Sequence, residues 1–398
     1  MLELIGLLIA FIFIFVLRFR GVDFALTILS ACVIIGLTCG QPLTIFTESA
    51  LKTILDQTTW DLVAAVAFIT VLGYVLKETG LMVDLIGSLR SFMPGKALLA
   101  LIPALFGILS MPGGALMSAP FNEAEADRLK LNPEQKTFTN VWFRHVWFWA
   151  SPISSTTIIL CKLAEIDLRS FILWNIPIFL ASWLIGWVVI SRFIKEEFFE
   201  SAKERRVGEV IKWISPILVT VALTLISIPI WLSVLVGIVI TYYLKRIPVA
   251  KGLNYIWKGI KWDTVSAVIA TLYFRYLLSD SGAVTSLFKV IMQVGLPLLV
   301  VVLFAPIIIG SISGQPQMGI GILLPLLLPL LGHTTISNVT IIFAGIVFGY
   351  TMSPMHLCLI LTNQYYRSDL NKVYPYLVPP LLALYIFAVI YHLMIDGL

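Results

Sequence analysis

Ser151-Pro152 and Ser353-Pro354 each interrupt a long apolar run, and they stand 202 residues apart. Proline lacks a backbone donor and clashes with the preceding turn, so a helix breaks at each place. Serine followed by proline also starts helices, as N-cap and first helical residue. Each copy therefore reads as a membrane helix broken near its middle, with a new N-terminus at the break. Unpaired backbone at that depth is tolerated only inside protein or around a polar cavity. In secondary transporters, breaks of this kind form the binding site.

Composition supplies the membrane. The chain has 398 residues, 59% of them hydrophobic and 12% charged, where soluble domains carry about 25% charged residues. Apolar segments recur from 2–17 to 373–395. The first is followed by Arg18 and Arg20 and by no small-residue cleavage site, so it reads as a membrane helix and not a cleavable signal. Cys32, Cys39, Cys161 and Cys358 lie in or near apolar segments without a CxxC spacing, and read as packed thiols. The net charge of +5 resides in loops, where the positive-inside rule accounts for it without nucleic acid.

The offset of 202 recurs along the chain. Trp60-Asp61 matches Trp262-Asp263, Tyr74 matches Tyr276, Gly80 matches Gly282, Asp167-Leu168 matches Asp369-Leu370, and Pro177 matches Pro379. Two repeats follow, 1–200 and 207–398. In the first, the run after residue 96 ends at Ser110-Met111-Pro112-Gly113-Gly114. About fifteen helical residues reach about 22 Å, short of the roughly 30 Å hydrocarbon core. A re-entrant hairpin over 96–128 fits better than two spans. Its counterpart is predicted over 290–331, turning at Ser311–Pro316, and the broken helices over 138–162 and 338–363. The predicted fold is thus an all-α polytopic membrane protein. Its two inverted repeats each hold five transmembrane helices, one of them broken, plus one re-entrant hairpin. Five crossings reverse the second repeat. Basic residues agree: Arg18, Arg20, Lys77, Arg90, Arg128, Lys130, the set from Lys195 to Lys261, and Arg367 and Lys372 fall on one side, against Lys52, Lys162, Arg169 and Lys289 on the other. That places both termini outside a cell membrane crossed ten times.

Four helix N-termini then point to mid-membrane, near Ala115, Ser154, Gln317 and His356. A helix start carries about half a positive charge and free N–H donors, which suits an anion. The candidate substrate-binding residues are Ser110, Gly113, Gly114, Ser151, Ser154, Ser313, Gln315, Ser353, His356, Thr362 and Asn363. Intramembrane ionisable residues are few. For Arg144, six residues from a loop, snorkelling competes with substrate contact. For Arg275, pairing with Asp280 or snorkelling competes with a functional role. For His356, ligand or proton contact competes with a satisfied core histidine. Asp61 and Asp263 read as interfacial neighbours of tryptophan. HExxH, GxSxG and Walker A motifs are absent.

The paired hairpin turns and broken helices resemble the ion transporter superfamily, which includes citrate, dicarboxylate, gluconate and arsenite carriers and sodium–proton antiporters. MPGGALMSAP at 111–120 and SPMHLCLILTN at 353–363 more closely resemble a family of ten-span proteins catalogued as domain of unknown function number 401. The resemblance covers nearly the whole chain. It implies the fold, a transport role, and a homodimer held by the early spans of each repeat. Dicarboxylate carriers of the superfamily hold substrate and sodium with Ser-Asn-Thr at each hairpin tip. Here the tips read Ser-Met-Pro-Gly-Gly and Ser-Gly-Gln-Pro, without Asn or Thr.

The expected function is ion-gradient-driven secondary transport of a small organic or inorganic anion. No cofactor is expected, Na+ or H+ is the coupling ion, and membrane lipid and the anion are the partners. Two alternatives stand beside it: transport of an amphiphilic lipid phosphate, and an intramembrane enzyme using His356.

Overall fold

The computed structural model describes residues 2–40, 42–108, 115–194, 207–295 and 297–396. Among them the regular elements are helices. The first ten are α1 (Leu2–Phe19), α2 (Phe24–Thr38), α3 (Pro42–Leu55), α4 (Gln57–Glu78), α5 (Leu81–Arg90), α6 (Gly95–Gly107), α7 (Ala115–Arg128), α8 (Pro133–His145), α9 (Ser155–Ala164) and α10 (Leu168–Phe193). The next ten are α11 (Val207–Leu225), α12 (Ile230–Lys245), α13 (Val249–Gly259), α14 (Trp262–Asp280), α15 (Ala283–Val294), α16 (Leu298–Ser313), α17 (Pro316–Leu327), α18 (Ile336–Met352), α19 (Leu357–Tyr366) and α20 (Leu370–Asp396).

Each helix of the second series starts within five residues of its counterpart displaced by 202, and α15, α19 and α20 start on it. Local chemistry explains the boundaries. Asp23, Asp56, Asn132, Asp167 and Thr335 accept backbone N–H groups at the starts of α2, α4, α8, α10 and α18. Matched residues Glu165 and Arg367 end α9 and α19 in the left-handed conformation, at φ 57° and 52°.

Among the described residues, five helical stretches are long and apolar enough to cross a membrane: α4, α10, α11, α20, and the stretch from Ile336 to Tyr366 that contains the second break. The chain is therefore a membrane-embedded helical protein. The last of these stretches is almost wholly buried, whereas α10 and α20 expose much of their surface. Lipid tails are as apolar as leucine, so burial of apolar surface contributes little between membrane helices and close packing contributes more. Glycine supplies it. A Cβ on Gly107 would lie 2.0 Å from the Arg144 carbonyl oxygen, and one on Gly310 would lie 2.3 Å from that of Ile346. Those partner positions are again 202 apart, so each hairpin arm lies backbone-to-backbone on its own broken helix.

The two series interlock. α2 packs on α14 and α12 on α4; α9 packs on α17 and α19 on α7. Neither 1–200 nor 207–398 is a separate globule. The second hairpin is shorter than the 290–331 read from sequence. Residues up to Val294 belong to the amphipathic α15, and the inward arm starts at Leu298. Apolar composition ran the two together, because α15 also has an apolar face.

Candidate functional site

The Ser-Pro positions do not start the new helices. Ser353 caps the C-terminus of α18, and the chain turns before restarting with His356 as N-cap of α19. Ser154 plays that part for α9. Both break serines hold the hairpins. Ser151 Oγ accepts the Ile153 N–H and donates to the Ile108 carbonyl, each at 3.4 Å. Ser353 Oγ accepts the Met355 N–H at 3.0 Å and donates to the Ser311 carbonyl. Proline ends the ladder, and the neighbouring hydroxyl ties the loosened turn to the hairpin beside it.

A cavity of about 170 Å³ opens against these restarts. The N-termini of α9, α17 and α19 border it through Ser155, Thr156, Pro316, Gln317, Leu357 and Cys358. Among the described residues no N-cap side chain bonds the first turn of these three helices, so N–H groups there remain as donors, in α17 that of Gln317, since Pro316 has none. The Gln317 amide donates to the Ser155 hydroxyl at 3.4 Å and brings α9 and α17 together. Gly314, at φ 66°, makes the turn that returns the chain into α17. Arg144 faces the cavity while only 5% exposed. At that burial the side chain does not reach the protein surface, as snorkelling would require. Thr70 and Thr271 add hydroxyls, and Arg18, Asp23 and Asp263 stand at the more exposed end. Asp263, beside Trp262, is exposed at the mouth of the cavity.

Beside Arg144 lies a compact group. One potential ligand atom each from His145, His356 and Cys358 falls within 4.8 Å of the others. His145 Nδ1 meets the Val141 carbonyl at 2.6 Å, and His356 Nδ1 meets the Thr351 carbonyl at 3.2 Å. Carbonyls only accept, so each Nδ1 carries the proton and each Nε2 offers a lone pair. His356 is fully buried, and its Nε2 has no hydrogen-bond partner among the described residues. Its ring centroid lies 4.1 Å from that of Tyr350 and 4.8 Å from that of His145.

A family model described as "Protein of unknown function (DUF401)" matches residues 3–395. The chain belongs to the DUF401 family. Among curated proteins none matches it. The DUF401 chain shares its fold with the crystal structure of the Alcanivorax borkumensis YdaH transporter, whose topology is described as unusual. The TM-score is 0.65 at 13% identity, with 86% of this chain and 87% of that one covered.

The residues singled out from the DUF401 sequence fall in different places. Ser110, Gly113 and Gly114 lie outside the described residues. Gln315 lines the cavity. His356 joins the histidine–cysteine group next to it. Ser151, Ser154, Ser313 and Ser353 are buried in the breaks and the second hairpin turn without lining the cavity. Ser313 donates to backbone carbonyls, at 3.1 Å to Gly310 and 3.0 Å to Gln315. Thr362 accepts from the Asn140 amide at 3.0 Å in a buried network. Asn363 accepts from Ser368 at 2.6 Å near the end of α19. Arg275 does not pair with Asp280. It pairs with Glu165, and Asp280 pairs with Lys52 at 2.7 Å.

Thr70, Thr271 and Asn140 are not among the residues the sequence singles out, and Arg144 stands there only as a choice between snorkelling and substrate contact. A usable signal exists for some. Against the offset of 202, Arg144 faces Ile346, His145 faces Val347, Ser154 faces His356, and Thr156 faces Cys358. The repeat changes chemistry where the cavity and its neighbouring cluster lie.

Proposed function

We propose that this protein is an ion-gradient-driven secondary transporter of a small organic or inorganic anion. It works by alternating access, with ten spans, halves of opposite orientation, both termini outside, and a homodimeric assembly. The observation that carries the reading is the cavity end, where a buried arginine and three uncapped helix N-termini converge. Each helix start contributes about half a positive charge, and the low-dielectric surroundings strengthen its effect on an anion. Positive charge at that depth is costly, and a bound anion lowers that cost. The fold held in common with a transporter supports the same class. In the N-outside orientation, Arg18 and Asp263 lie towards the cytoplasm, so the cavity opens inward.

The test is a thermal-shift screen of detergent-purified protein. It covers carboxylates, phosphate, sulfate and lipid phosphates, with sodium or potassium, at several pH values. A ligand at a hundred times its Kd adds about 2.7 kcal/mol. One soluble anion raises the midpoint in the wild type and loses that effect in Arg144→Gln. Dependence on sodium, or on pH alone, identifies the coupling ion. A response to lipid phosphates and to no soluble anion would replace the small-anion reading with the lipid one.

A further inference from the structure

We propose that His145, His356 and Cys358 form a binding site for one d10 metal ion of borderline or soft character, Zn2+ or Cu+. The three residues come from both halves of the chain, His145 from the end of α8 and the other two from the start of α19. The break between Ser353 and His356 is what carries His356 and Cys358 to His145. Their ligand atoms lie within 4.8 Å of one another. A tetrahedral centre with metal–nitrogen bonds near 2.0 Å and a metal–sulfur bond near 2.3 Å needs separations of roughly 3.3–3.5 Å. An inward movement of about an ångström closes the gap.

The orientation of the rings is already that of metal ligands. Ligating histidines fix one ring nitrogen by donating its proton to a carbonyl, leaving the other as the ligand. Both histidines do this, through Val141 and Thr351. A fully buried ring nitrogen without a partner is costly, as His356 Nε2 is here, and a metal ion removes that cost. Two imidazoles and a sulfur select zinc or copper over magnesium or calcium. Binding displaces the thiol proton to water, and the sulfur lone pair forms the bond. Among the described residues no fourth histidine, cysteine or carboxylate joins the group. His145 and Cys358 also line the cavity, so the fourth position faces it and accepts water or a small anion.

The site is separable from transport, because its readout is metal bound by purified protein. Apo-protein is titrated with Co2+ as an optical stand-in for Zn2+, and separately challenged with Zn2+ and Cu+ before desalting and metal analysis. The expected result is one tightly held ion per chain. Co2+ should give a near-ultraviolet sulfur-to-metal charge-transfer band, lost in Cys358→Ser and weakened at least tenfold in affinity in His356→Ala. His333→Ala, outside the group, retains full binding. Retention of Cu+ without Zn2+ supports the site and selects copper. No retained metal in folded wild-type protein overturns it, as does a band that persists in Cys358→Ser. Melting curves of the metal-free variants separate lost ligation from lost folding.

Discussion

Asn140 on α8 donates its side-chain amide to the Thr362 hydroxyl on α19 at 3.0 Å, and the same amide reaches the Ala115 carbonyl at 3.3 Å. Its carbonyl oxygen accepts from Ser118 at 2.7 Å. One fully buried side chain thus joins the return arm of the first hairpin to the broken helices of both halves. Asn140→Leu should lower stability by about 1–2 kcal/mol, the range of interhelical hydrogen bonds in membranes. Combined with Thr362→Val it should cost less than the sum of the two single changes, since the orphaned hydroxyl goes too. Thermal unfolding of the four proteins in detergent checks this; strict additivity would contradict the contact.

Ser151 and Ser353 serve as matched fasteners. Each should lose about 1 kcal/mol on replacement by alanine, leaving the Ile108 or the Ser311 carbonyl without its donor. They share no partner, so the double variant should fall by the sum, within about 0.5 kcal/mol. Threonine at either place should restore most of the loss, and melting midpoints of the five variants would show it.

Gly107→Ala and Gly310→Ala should each cost about 3 kcal/mol or abolish folding. The added methyl meets backbone oxygen at 2.0 Å and 2.3 Å, and neither carbonyl can swing aside as a side chain would. Gly87, inside α5, has nothing within 4 Å of the same position. Alanine there should be neutral or stabilising by up to about 1 kcal/mol. Yield of monodisperse protein and its melting point distinguish the two classes.

Asp167 caps α10 outside the apolar spans. The Ser170 backbone N–H donates to its carboxylate at 2.9 Å, the Ser170 hydroxyl at 3.0 Å, and Arg169 stands 3.9 Å away. These donors hold the carboxyl below its ordinary range. A depressed carboxylate stabilises the fold above its unfolded pKa, near 3.9, and that contribution is lost as pH falls through the lower folded value. Asp167→Ala should therefore cost about 1 kcal/mol at pH 7. The gap to wild type should narrow below about pH 4. Equal gaps at pH 7 and pH 3 would rule out the charged cap.

The order of helices was legible because breaks, turns and caps are local chemistry repeated at a fixed spacing. α9 and α19 begin 202 residues apart, as the two Ser-Pro steps do. What a side chain faces was less legible. Arg144 lies six residues from a loop by sequence, yet it is buried against the cavity, because proximity to a helix end does not tell which neighbour its face meets. Arg275 and Asp280 share one helix and pair with partners on others, Glu165 and Lys52, which no local spacing reveals. The break serines are polar, yet their hydroxyls donate to hairpin carbonyls and do not line the cavity.

The glycine contacts have a mechanical consequence. Where Gly107 meets the Arg144 carbonyl and Gly310 meets that of Ile346, two backbones touch with no side chain between them. Such a joint has no slack to slide or tilt. Each hairpin arm and its broken helix are therefore held together as one stiff unit. The contacts of α9 with α4 and of α17 with α14 are of another kind. There, as between Gly321 and Thr271, the opposing surface is side chain and can yield.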